Sequence, residues 1–183
     1  MTPAPIVLAT TRSQGTRDVA IALAGHLRAG DLLVLDGPLG AGKTTFTQGL
    51  GAGLGVRGPV ASPTFVIARV HPNLGEGPML VHVDAYRLAG GFDIDDLDLE
   101  TELEDAVTVV EWGRDRVEHL VDSYLMIELE RPAEVVDGGA DDPEEPRTLA
   151  VHAVGPRWDD AAVADLRADL VRAAAGGTPE EES

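Results

Sequence analysis

The stretch DLLVLDGPLGAGKTT, residues 31–45, constrains the fold more than any other part of the chain. Leu32 to Leu35 form an unbroken apolar run that ends at the glycine-rich turn beginning with Gly37. A run without polar alternation suits a strand covered on both faces, as in a parallel sheet. A helical pattern resumes at KTTFTQGLGAGLG. Strand, glycine-rich turn and helix in this order form one βα unit. Strands alternate with helices along the rest of the chain, so the expected class is α/β.

The turn also carries chemistry. Gly37, Gly42, Lys43 and Thr44 satisfy G-x-x-x-x-G-K-[ST], the P-loop pattern. Glycines let the backbone curl so that its N–H groups face a phosphate, and the following helix adds its positive dipole end. Fourteen residues are basic, and Lys43 is the single lysine. A GC-rich coding bias explains arginine elsewhere. Lysine is retained here because a compact ammonium fits a phosphate nest better than a planar guanidinium fork. Thr44 offers a hydroxyl to Mg²⁺. A glycine-rich turn without a ligand is the bland alternative, and the strand before it and the helix after it speak against that.

A loop entering a strand is expected across 60–71, and further strands at 6–10, 79–84, 107–111, 123–130 and 148–154. Helices are expected at 13–30, with Ser13 as N-cap and Gly30 as terminator, at 114–120, and from about 160 behind Asp159 or Asp160. The acidic stretch 90–106 reads as a helical connection. The organisation expected is one domain over 1–175, with a mobile acidic loop at 131–147 and a disordered tail at 176–183.

Composition excludes several classes. No cysteine is present, so disulfide scaffolds and cysteine-based metal sites or catalysis are ruled out. No apolar run approaches the ~20 residues of a membrane span, and the N-terminus lacks the pattern of a secretion signal. A soluble, cytoplasmic protein with no membrane partner is expected. The net charge of −18 repels free nucleic acid, so any role in nucleic-acid chemistry runs through a partner protein.

P-loop enzymes also need a second magnesium anchor and a group that orients the attacking nucleophile. In open α/β sheets such groups sit at the carboxyl ends of strands. Asp84 ends MLVHVD and Glu111 ends VTVVE. Each also reads as a solvated strand end or a cap. Arg87 pairs with an acid or stabilises phosphate charge. Ser62 and Thr64 of SPTF sit where a nucleotide-sensing switch often lies, or form an ordinary turn.

Taken together, GPLGAGKTTF, SPTF, HVDAYRL and VEWG, in this order, resemble the TsaE (YjeE) family, P-loop ATPases of bacterial threonylcarbamoyladenosine biosynthesis on tRNA. The resemblance covers about 16–112 well. It implies a single-domain P-loop NTPase fold with a mixed, mostly parallel sheet flanked by helices. It implies slow, partner-coupled hydrolysis of ATP with Mg²⁺, in support of the TsaB and TsaD proteins, which modify the adenosine beside the anticodon. Contact with tRNA would be indirect, through that complex. Carried over by motif, Gly37, Leu39, Gly40, Ala41, Gly42, Lys43, Thr44 and Thr45 hold the phosphates. Thr44 and Glu111 hold the metal, and Asp84, Glu111 and Lys43 serve hydrolysis. Trp112 belongs to the functional surface, or is a core or rim tryptophan. Ser62 and Thr64 match the switch loop, and Thr16 and Arg147 fall where the family contacts the base. The chain departs from the family at Pro38, usually Asp, at Gly113, usually Pro, and in the acidic insertion 137–145.

Two other readings use the same cradle. One is a small-molecule P-loop kinase, disfavoured because such enzymes carry an arginine-rich lid and the longest flexible loop here is acidic. The other is a nucleotide-gated binding module without significant turnover.

Overall fold

The computed structural model describes residues 3–61, 68–86, 104–131 and 146–176. Among these, seven strands form one sheet: β1 (Ile6–Thr10), β2 (Leu32–Asp36), β3 (Ala68–His71), β4 (Met79–Asp84), β5 (Ala106–Glu111), β6 (Tyr124–Glu130) and β7 (Arg147–Val154). The helices are α1 (Ser13–Ala24), α2 (Lys43–Leu54) and α3 (Asp160–Ala174). The spatial order of the strands is β1-β7-β6-β2-β5-β4-β3. β4, β5, β2 and β6 are parallel neighbours, while β7 and β3 run against them and β1 pairs antiparallel with β7. Most of the sheet therefore runs one way, and the class is α/β with a mixed, mostly parallel sheet.

β2 lies in the middle, between β5 and β6, and its continuous apolar run follows from that position. Leu33 and Leu35 join the larger core, which α1, α2 and α3 cover with Val19, Leu23, Phe46, Leu50, Val163 and Leu166. Leu32 and Val34 join the smaller core on the other face, with Val81, Val83, Val110 and Val117. Both faces of β2 are thus dry, as the lack of alternation requires.

α1 and α2 pack closely because α2 turns glycines toward α1. A Cβ on Gly49 would lie 2.6 Å from the Arg17 carbonyl oxygen and 2.7 Å from Ala20 Cβ. α3 starts as the sequence suggests, with Asp159 accepting from the Ala162 N–H.

Some local expectations change. α1 ends at Gly25 rather than Gly30, and Arg12, not Ser13, is its N-cap. After Gly25 the chain tightens into bonds three residues back, from His26 N–H to the Leu23 carbonyl and from Leu27 N–H to the Ala24 carbonyl. It then turns at Asp31, whose carboxylate accepts from the Arg28 N–H. The segment 114–120 forms only one 3-10 turn, Glu118–Leu120. The acidic stretch expected to be helical falls outside the described residues except for 104–106, where Glu104 and Asp105 form a turn and Ala106 opens β5; most of the acidic loop and nearly all of the tail also fall outside. Among the described residues, no helix is long and apolar enough to cross a membrane.

The Gly49 contact makes a clear prediction. Gly49→Val should lower unfolding stability by about 2–3 kcal/mol through overpacking against α1. Gly25→Ala is the contrast: φ is −63° and the nearest atom to a new Cβ is 3.4 Å away. That change should be neutral or stabilising by up to about 1 kcal/mol. Denaturant unfolding of both variants checks this.

Candidate phosphate-binding site

The carboxyl ends of β2, β4 and β5 deliver the candidate residues to one edge of the sheet. β2 leads into the glycine-rich loop, and β4 and β5 end in register at Asp84 and Glu111. The loop's path depends on Gly37, whose φ is 143°; a Cβ there would sit 2.2 Å from the Leu129 carbonyl oxygen. The loop therefore lies directly on the β6 backbone, where only glycine fits.

α2 begins at Lys43 behind Gly42, which adopts a left-handed conformation. No side chain caps this end, and its first turn contains no acid. The first-turn N–H groups and the positive end of the helix dipole are thus left for an anion.

Lys43 is nearly buried, at 5 % exposure. Its Nζ donates to the carbonyl oxygens of Gly37 at 2.6 Å and Pro38 at 3.0 Å. The Trp112 ring lies over it, 3.8 Å from Nζ to the centroid. Burial pushes the Lys43 ammonium below the ordinary lysine value, while Glu111, Asp36 and Asp84 pull it back up. Trp112 holds this place at a φ of 61°, unusual for a bulky residue, while its N–H still bonds to the Leu35 carbonyl 2.9 Å away. Tyr86 stands beside it, ring centroids 5.3 Å apart.

Glu111 is 4 % exposed and accepts twice on one oxygen. His82 Nε2 lies 2.8 Å from Oε1, and Thr44 Oγ1 donates to the same atom over 3.4 Å. A buried carboxylate needs such partners. Thr44 and Glu111 thereby place two oxygen donors side by side, the ligand type Mg²⁺ requires. Asp84 accepts from the Tyr86 N–H at 3.1 Å.

These groups line a cleft of about 720 Å³, with walls from Leu39, Gly40, Gly42, Lys43, Thr44, Thr45, Asp84, Tyr86, Glu111, Trp112, Arg131 and Arg147. Gly37 and Ala41 support it from behind, Ala41 being buried in the main core. Arg147 meets the loop backbone: Nε donates to the Ala41 carbonyl at 3.1 Å and one terminal nitrogen to the Gly40 carbonyl at 3.4 Å. Thr16 does not reach the cleft; its hydroxyl is buried against Thr10, 3.1 Å away. Ser62, Thr64 and Arg87 lie outside the described residues.

His82, Tyr86 and Arg131 were not foreseen. For His82 the signal was available, because a residue two before Asp84 on a strand shares its face. Of the departures, Gly113 is enforced locally: a Cβ would lie 2.8 Å from Val110 Cγ1. Asp36 is held by Arg114 at 3.1 Å and still acts on Lys43 through space.

The lowered Lys43 pKa has a proton signature. As pH rises toward 10.5, Lys43 in the free protein loses its proton before an ordinary lysine would. A bound phosphate chain favours the ammonium, so binding in that range should take up protons. Calorimetric titrations with ATP in buffers of different ionisation enthalpy should show uptake that grows with pH and vanishes in Lys43→Ala. Proton release, or uptake in the variant, would contradict it.

The chain is similar to known proteins over most of its length. Residues 10–136 match the family model described as "Threonylcarbamoyl adenosine biosynthesis protein TsaE". A Streptomyces coelicolor protein named tRNA threonylcarbamoyladenosine biosynthesis protein TsaE is 55 % identical over 151 residues, covering 82 % of this chain and 98 % of that protein. A protein of the same name from Mycobacterium tuberculosis is 46 % identical over 127 residues, 66 % of this chain and 76 % of its own. One from Bacillus subtilis is 37 % identical over 151 residues, 82 % and 87 % of the two chains. The crystal structure of Bacillus subtilis YdiB superposes with a TM-score of 0.66 at 30 % identity, covering 91 % of this chain and 95 % of that one. With the P-loop at the head of the central strand and this match across most of its length, the chain belongs to the TsaE family of threonylcarbamoyladenosine biosynthesis proteins.

Proposed function

We propose that the protein binds ATP with Mg²⁺ in this cleft and hydrolyses it slowly in support of threonylcarbamoyladenosine modification of tRNA, acting with the TsaB and TsaD proteins in the cytoplasm. The observation that carries this reading is the meeting of Lys43, at the uncapped start of α2, with the Thr44–Glu111 pair. Family membership supplies the pathway.

Each residue has a role in this reading. The α2 N-terminus and the loop amides hold the phosphate chain, and Lys43 neutralises charge on its β and γ groups. Thr44 and Glu111 would hold Mg²⁺, which supplies charge neutralisation at the phosphates when bound. Asp84 stands opposite Glu111 and accepts a proton from, or orients, the attacking water. Tyr86 and Trp112 form an aromatic wall that limits water access. Arg147 ties Gly40 and Ala41 in place and lines the cleft, where it stands to meet the base as well. The acidic surface leaves tRNA to be held by the partners.

A nucleotide-gated module without turnover remains the specific rival. It is favoured by the occupation of Lys43, which must leave two carbonyls and alter its contact with Trp112 to meet a phosphate.

ATP hydrolysis measured alone and then with TsaB, TsaD and tRNA separates the two. Turnover should rise with the complex and fall by about 10²–10⁴-fold in Asp84→Ala. ATP binding without turnover in either setting would establish the gated module instead. Phosphorylation of an added small-molecule acceptor would establish a kinase.

A further inference from the structure

We infer that His82 is a positioning residue for Glu111, fixing one carboxylate oxygen so that the other is kept for the metal. This inference rests on the reading of the cleft given above.

His82 lies in the middle of β4 and is completely buried, at 0 % exposure. Its Nε2 is 2.8 Å from Glu111 Oε1. A carboxylate only accepts, so the tautomer with hydrogen on Nε2 makes this bond. Nδ1 has no hydrogen-bond partner among the described residues. In that tautomer Nδ1 is a bare lone pair, which is tolerated in a dry site more readily than an orphaned N–H. The burial that strands Nδ1 therefore commits Nε2 to donation.

A packing role alone accounts poorly for this residue. An imidazole with one unmatched nitrogen is a costly filler where an aliphatic side chain would leave nothing unpaired. What the ring provides is direction. Both hydrogen bonds on Glu111, from His82 and from Thr44, converge on Oε1. Oε2 takes part in neither. Carboxylates that hold metal ions are commonly oriented by an outer hydrogen bond of this kind, and its loss costs about 10–100-fold in metal affinity. β-Strand register makes the contact possible. Asp84 pairs with Glu111, and His82 lies two residues earlier on the same face of β4.

The test is the affinity of the intact protein for ADP, measured by calorimetry across a Mg²⁺ titration and in chelator. His82→Asn and His82→Gln carry the same amide, one methylene apart. Gln places its N–H₂ near the position of Nε2; Asn places it near Nδ1, short of Glu111. His82→Phe keeps the ring shape without a donor, and melting curves report folding of all three. In the wild type, Mg²⁺ should tighten ADP binding. His82→Asn and His82→Phe should require about 10–100-fold more Mg²⁺ for the same gain while matching the wild type in chelator. His82→Gln should restore most of the wild-type dependence. Should His82→Phe fail to fold, the Asn–Gln pair still decides. Equal Mg²⁺ dependence in those two variants, or an unchanged one in folded His82→Phe, overturns the role of His82 and leaves the cleft reading intact. A wild type whose ADP affinity ignores Mg²⁺ overturns the cleft reading, and this inference with it.

Discussion

The burial of β2 on both faces is the constraint on which the rest of this structure depends. Because β5 and β6 flank it and two hydrophobic cores cover it, the end of β2 is fixed in space. The chain leaving it has one course, across the β6 backbone through Gly37 and back into α2. Close packing of α2 on α1, through glycines with no room for a Cβ, then fixes the helix axis. A helix N-terminus held this firmly makes a pre-organised anion site. Its first-turn amides are in place before any ligand arrives, and the rearrangement left for binding is confined to Lys43 and its partners.

Charge in the cleft is balanced by position. Lys43 sits among Glu111, Asp36 and Asp84, and this acidic surround offsets part of the cost of burying its ammonium, burial remaining the larger effect. It is also held by two carbonyls of its own loop and covered by the Trp112 ring. The ion thus has provisional partners that an incoming phosphate can replace. Trp112, at a backbone angle that few bulky residues adopt, stores strain at the same spot. A cation with exchangeable partners under a strained aromatic is suited to a site that changes between its free and bound forms.

The parts of this arrangement legible in the sequence were those with a local cause. The apolar run of β2, the G-x-x-x-x-G-K-T turn and the acids at the ends of β4 and β5 each follow from one stretch of chain. Asp159 as the α3 cap was legible for the same reason. What escaped was set by packing between distant segments. α1 stops at Gly25 because the following turn is organised around Asp31, which Arg157 also holds from far along the chain at 3.3 Å. Arg147 lies more than a hundred residues beyond the loop carbonyls it binds, and only the sheet order brings them together. The His82–Glu111 bond needs the parallel register of β4 and β5, which no single stretch encodes.

On the proposed reading, the loop Gly37–Thr44 holds the phosphates of ATP through Lys43. Equilibrium titration of the purified protein with ATP and Mg²⁺, beside Lys43→Ala, tests it most directly. One site per chain is expected in the wild type, with a loss of about 100-fold in affinity for the folded variant, the size that follows when a charge-assisted contact worth about 2–3 kcal/mol is removed. Equal affinity in the two proteins would contradict it.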